Sequence, residues 1–158
     1  GATELSVFMQ RMWCTNTAIA TSELRKVHLG ARASVDIEDA DLNYQLASKA
    51  MVKEIRTAMH TQLEPGYIKK LEEGIRLANE SEVDHKQFEA FLKKHLAKED
   101  VEAVKEKYRS SDITDLPSGD TWWRASNALS WFANQATDPG VGYDLQKLAG
   151  KAIQMGKG

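Results

Sequence analysis

The sequence predicts a mostly α fold, a multi-helix bundle with one short N-terminal strand or hairpin-like segment. Three observations predict it. Apolar residues recur at three- and four-residue spacing over most of the chain beyond residue 39. The densest such segment, Asp120 to Ala136, gathers three of the four tryptophans. One stretch, Leu24 to Val35, alternates instead with a period of two. At 158 residues, 42% hydrophobic and 28% charged, the chain has the length and composition of one globular domain with a sizeable core. A net charge of −2 from 21 basic and 23 acidic residues sets up no long-range field of one sign, so attraction to nucleic acid needs a local patch. The single cysteine, Cys14, has no partner for an internal disulfide, no apolar run reaches membrane-spanning length, and no basic-then-apolar leader is present. The expected location is the cytoplasm, with no membrane partner. The opening Gly1-Ala2-Thr3 lacks an initiator methionine, which leads us to expect part of a longer protein.

Taken in order, Thr3 can cap a helix in which Leu5, Phe8, Met9, Met12 and Trp13 form one stripe. Val27, Leu29, Ala31, Ala33 and Val35 then alternate with His28, Gly30, Arg32 and Ser34, the pattern of a strand that must find a partner to satisfy its backbone. Asp36, Glu38, Asp39 and Asp41 suit the start of a helix, where its dipole favours acids. That helix, about Asp39 to Leu63, is the longest amphipathic one and aligns Tyr44, Ala47, Met51, Val52, Ile55, Ala58, Met59 and Leu63; Pro65-Gly66 ends it. Shorter helices follow over Tyr67 to Asn79, Asp84 to Leu96 and Lys98 to Arg109, each with a narrow apolar face. The polar stretch 79–110 is expected to form a protruding helical hairpin. A loop from Ser110 to Gly119 leads to Asp120 as N-cap of the tryptophan helix, Thr137 to Gly142 ends that helix, and a last helix spans Tyr143 to Met155.

The tryptophan helix places Trp122, Ala125, Ala128, Leu129, Phe132, Ala133 and Ala136 on one broad face, with Trp123 and Trp131 outside it. A helix apolar nearly all round is usually covered on more than one side. Trp123 and Trp131, with Arg124 and Asn127 beside them, are the candidate anchors for a protein partner or self-association, since tryptophan is enriched in interface hot spots. Two local basic clusters are the candidate phosphate contacts: Arg25, Lys26, His28 and Arg32, and Lys93, Lys94 and Lys98. A solvated charged edge is the default explanation of each cluster. Cys14, His28 and the acids from Asp36 to Asp41 are the sole groups with catalytic potential, and they form no recognisable constellation. The acids lack the spacing of a calcium loop, and Gly140-Val141-Gly142 lacks both the preceding strand and the third glycine of a dinucleotide fingerprint. No catalytic residue, metal or cofactor is expected.

Arg11-Met12-Trp13-Cys14-Thr15-Asn16, followed by Lys26-Val27-His28-Leu29-Gly30, resembles a passage of the phage/plasmid-like proteins catalogued as family 932 of the domains of unknown function. Trp122 to Asn127-Ala128-Leu129, then Leu145 to Leu148-Ala149-Gly150-Lys151-Ala152, is similar to that family's Trp-x-x-x-Asn-Ala helix and its closing segment. The chain departs from the family at Thr17, where glycine is usual, and at Trp131-Phe132-Ala133-Asn134, where an Asp-His pair is usual. The resemblance implies the C-terminal portion of a phage or mobile-element protein working in a bacterial host cell, and implies no reaction. The first functional expectation is a non-enzymatic accessory protein that acts as an interaction or assembly module. The alternative is a nucleic-acid-binding module in phage DNA metabolism.

Overall fold

Most of the helix expectations hold to within a few residues, and the protein is mostly α. The structure, a computed structural model, describes residues 3–7, 10–13, 16–19, 25–29, 40–111 and 114–156. Six helices carry the chain beyond residue 39: α1 (Ala40–Leu63), α2 (Pro65–Glu80), α3 (His85–His95), α4 (Lys98–Arg109), α5 (Trp122–Ala133) and α6 (Pro139–Met155). Glu64 alone separates α1 from α2, because Pro65 is well placed as the first residue of a helix, where its missing N–H costs no intrahelical bond. The same logic starts α6 at Pro139, ahead of the expected Tyr143, with the Asp138 carboxylate accepting from the amides of Gly140 (2.7 Å) and Val141 (3.2 Å). Asp84 caps α3 through the amides of Lys86 and Gln87. The cap of α5 is Thr121, whose hydroxyl accepts from the Arg124 amide at 3.2 Å. Asp120, the expected cap, is released for other bonds.

The N-terminal segment corrects the sequence reading. Instead of a helix it forms β1 (Thr3–Val7) and β2 (Gln10–Trp13), followed by β3 (Asn16–Ile19) and β4 (Arg25–Leu29). β1 pairs antiparallel with β4, from Thr3 opposite Leu29 to Val7 opposite Arg25, and β2 pairs antiparallel with β3, from Gln10 opposite Ile19 to Trp13 opposite Asn16. The alternating segment needed a partner for its backbone groups, and β1 supplies one; pairing overrides the helical spacing of Leu5, Phe8 and Met12.

The chain divides into two compact units. The first comprises 1–9 and 23–69 and holds the β1–β4 pair and α1; the second comprises 10–22 and 70–158 and holds the β2–β3 pair, most of α2, and α3 to α6. In the second unit α5 is the central element. Every residue from Trp122 to Ser130 is buried. Small residues on the paired helices, Ala125 and Ala128 on α5, Ala149, Gly150 and Ala152 on α6, let them approach closely, and the Ser126 hydroxyl donates to the Ala149 carbonyl at 2.8 Å. Phe88 of α3 meets Trp122 edge-on at a centroid distance of 5.9 Å. Leu92, Leu129 and Ile153 are almost fully removed from water, and each contributes about 1.5–3 kcal/mol by burial. The 79–110 stretch, expected to protrude, supplies Val83, Phe88, Leu92, Val101, Val104 and Tyr108 to this same core.

Candidate functional site

The residues singled out on the tryptophan helix lie mainly inside. Trp123 is 5% exposed, Asn127 2% and Arg124 8%, so these three pack within their own unit and offer no free surface for a partner. The Asn127 amide donates to the Trp123 carbonyl one turn back, at 2.8 Å. The Arg124 guanidinium reaches the carbonyls of Tyr108 (2.9 Å), Pro117 (2.7 Å) and Ser110 (2.5 Å), bracing the segment between α4 and α5 from within. Trp131 is half-buried, with the Lys107 ammonium 4.9 Å from its ring centre while Lys107 also pairs with Asp115 at 3.0 Å. The width of the apolar surface on α5 was the signal for this burial, and it argues against the anchor reading. Asn16, the last residue of the Cys-Thr-Asn passage, is likewise structural: it is 2% exposed and its amide donates to the Asp115 carbonyl at 2.6 Å.

A polar clasp that the sequence did not announce joins residues 81–85 to 120–122. The Val83 amide donates to the Asp120 carbonyl (3.1 Å) and the Trp122 amide to the Ser81 carbonyl (3.2 Å). The Asp120 carboxylate then accepts from the Tyr108 hydroxyl and pairs with His85 Nε2 at 2.8 Å. Burial pushes the Asp120 carboxyl up, but the hydrogen bonds from Tyr108 and His85, helped by the charges of His85 and Arg124, win and hold it below the usual carboxylate range. Tyr108 moves up, first through burial and then through its bond to the Asp120 carboxylate. Beside the clasp lies a cavity of only about 80 Å³, lined in part by His85, Phe88 and Lys105. Both oxygens of Asp120 are engaged, so its chemistry is that of a fastener.

The two basic clusters fall in different units. Arg25, Lys26 and His28 lie along β4 in the first unit, opposite Val7, Ser6 and Glu4 of β1. Arg32, Cys14 and the acids from Asp36 to Asp39 fall outside the described residues. Of the second cluster, Lys93 is paired with Glu89 at 2.8 Å, whereas Lys94 and Lys98 are exposed and have no carboxylate partner among the described residues.

The surface that stands out instead is on α1. Among the described residues four large apolar side chains are exposed, and three of them, Val52 (50%), Met59 (52%) and Leu63 (61%), lie on this helix. At about 100° per residue they fall within roughly 40° of one another and form a single row. With Ile55, Arg56 and His60 they line a groove of about 340 Å³. Lys49, Lys53, Arg56 and His60, all exposed, follow one another along one flank of the row. An amphipathic helix whose exposed row is apolar and whose flank is basic is suited to packing against a helix with the complementary pattern. The sequence reading placed Val52, Met59 and Leu63 on one apolar arc, and their solvent exposure is what shows that this part of it faces water.

Among the described residues no group of three His, Cys, Asp or Glu side chains is arranged to hold a metal ion, and no helix is long and apolar enough to cross a membrane. Comparisons with protein-family models, with curated proteins and with solved structures return no match.

Proposed function

We propose that the protein is a non-enzymatic interaction and assembly module, an accessory protein of the phage or mobile-element kind that its Cys-Thr-Asn and Trp-x-x-x-Asn-Ala passages resemble, and that it works by self-association through α1. The supporting observation is the exposed row of Val52, Met59 and Leu63. Exposed apolar side chains gathered in a row, in contrast to scattered ones, mark a surface meant to be covered. A second copy can supply the cover: the row packed antiparallel on the same row of another copy about a two-fold axis is isologous, each copy burying the other's Val52, Met59 and Leu63. The row from Val52 to Leu63 gives a seam about 16 Å long.

Size-exclusion chromatography with light scattering tests this reading. The expected result is a dimer that Val52→Glu together with Met59→Glu converts to monomer while the helical circular dichroism is retained; the double variant charges an exposed row and leaves the core untouched. A wild-type chain that stays monomeric up to the highest soluble concentration overturns it. The alternative, nucleic-acid binding, draws on Lys94 and Lys98, exposed and without carboxylate partners among the described residues. It predicts a shift on adding oligonucleotide that is lost as salt rises.

A further inference from the structure

The second unit contains a larger groove, separate from the α1 row and the Asp120 clasp. It is bounded by the corner between α3 and α4, the end of α5, and one side of α6, with a volume of about 700 Å³. That lies within the roughly 300–1,000 Å³ typical of small-molecule sites. Leu96, Phe132, Leu145 and Leu148 line it, and Val141 at its edge is 53% exposed, the one large apolar side chain so exposed among the described residues of this unit. An apolar wall of this kind gains by covering itself with hydrocarbon.

Its charges are unevenly matched. Lys147 is spent on Asp144, with which it forms an ion pair, and on the Tyr143 ring, 4.6 Å away. Lys151, one turn further along α6, is exposed and has no carboxylate partner among the described residues. His95, at the end of α3, shares the groove with it. The imidazole is held below its usual range by burial first, then by the charges of Lys151 and Lys94; no acid is among the groups acting on it. Asp100, in the first turn of α4, also faces the groove but pairs with neither Lys151 nor His95. The groove therefore has an apolar wall and, at Lys151 beside His95, a cationic group that no carboxylate pairs with among the described residues, while Asp100 lines the groove without an ion pair to either.

We infer that this groove binds a small amphipathic carboxylate, its aliphatic tail over Leu96, Phe132, Leu145 and Leu148 and its carboxylate at Lys151 and His95. A neutral alcohol of the same tail gains the apolar contact but leaves the cationic group unmatched, and a cationic amphiphile is repelled by it. The bound carboxylate favours the protonated imidazole, so binding tightens as pH falls toward the histidine range, while the ligand itself stays ionised. Lys94 and Lys151 oppose that protonation before the ligand arrives and are offset by it afterwards; Asp144 is already matched by Lys147.

Decanoate, 1-decanol and decyltrimethylammonium serve as probes against the full chain, followed by two-dimensional NMR of backbone amides and of the histidine ring. Decanoate is expected to shift Val141, Leu145 and Leu148, to raise the titration midpoint of His95, and to bind at least about tenfold more tightly than decanol. Lys151→Glu, at an exposed position, is expected to weaken decanoate by about tenfold or more while leaving decanol binding unchanged. Equal affinity for decanoate and decanol, decanoate binding that survives Lys151→Glu, shifts confined to α1, or no shift at all each overturns the inference. None of these outcomes depends on whether α1 self-associates, because the two surfaces share no residue.

Discussion

The buried Arg124 and the half-exposed Asp120 show how two charges are kept in the second unit without an ion pair between them. Arg124 has surrendered water for three backbone carbonyls, all from the segment between the end of α4 and the start of α5. A buried cation is tolerated when its donors are satisfied, and here the carbonyls do that while the cation orders the loop in return. Asp120 is satisfied from the other side, by Tyr108 and His85. Its consequence is a stability profile with two flanks. Asp120 has its folded pKa below its ordinary 3.8, so the stability it contributes is present above that value and is lost as pH falls through the folded one. Tyr108 has its pKa raised above 10.0, so its contribution is complete below that value and is lost as pH rises beyond it. Tyr108→Phe removes the hydroxyl from both effects. Denaturant midpoints measured from about pH 2 to about pH 11 are expected to show a lower plateau, a smaller acid loss that is complete at higher pH, and the disappearance of the alkaline loss belonging to Tyr108. An unchanged alkaline limb would show that the hydroxyl is not bound to the carboxylate.

At the scale of elements, close packing of helix ends decides which positions accept a side chain. Gly156, just after α6, comes so near α2 and α5 that an added Cβ would sit 2.8 Å from Ala78 Cα and 3.0 Å from Trp122 Cβ. Neither neighbour is the free end of a flexible side chain, so backbone must move, and Gly156 also offers its carbonyl to the Ser81 hydroxyl at 2.6 Å. Gly66, in the first turn of α2, has no heavy atom within 4 Å of such a Cβ. Gly156→Ala is expected to cost about 1–3 kcal/mol in denaturant unfolding, and Gly66→Ala to gain about 0.5–1 kcal/mol by restricting the unfolded chain. The difference between these glycines is invisible in sequence, where both follow or begin a helical run. Helix positions were legible for the reason that caps and periodicity are local: Asp84 and the apolar spacing of α3, α4 and α6 mark their elements within a few residues, whereas the cap at Asp138 was read as the end of the preceding helix. The β1 and β2 strands were not legible, because a local stripe of Leu5, Phe8 and Met12 satisfies a helix equally well until a pairing partner is known. The candidate surface was half legible. Periodicity identified the apolar arc of α1, but whether an arc faces a core or water depends on what the rest of the chain brings to it.

For the whole molecule, the division into two units sorts the buried apolar side chains that are described. Every buried apolar side chain among those described belongs to the second unit; in the first, Gln62 is the one described side chain that is buried. A helix draws most of its stability from packing its apolar face, and α1 leaves Val52, Met59 and Leu63 at 50%, 52% and 61% exposure. The amides of α5, buried throughout from Trp122 to Ser130, are therefore expected to exchange with solvent only through global unfolding of their unit, and those of α1 through smaller openings of lower free energy. Self-association changes this ordering in a way that partner-independent stability cannot. If two copies cover each other's α1 row, opening that helix must also dissociate the pair, so its protection grows with protein concentration. Hydrogen–deuterium exchange at two concentrations about a hundredfold apart is expected to slow in α1 by up to roughly tenfold for a dissociating dimer, since the associated fraction rises, and to leave α5 unchanged wherever its unit opens independently. Equal α1 exchange at both concentrations, with a dimer absent from light scattering, would remove the row from service as a self-association surface. Equal acceleration of both helices on dilution would instead mean that the second unit too depends on the assembled state for its stability.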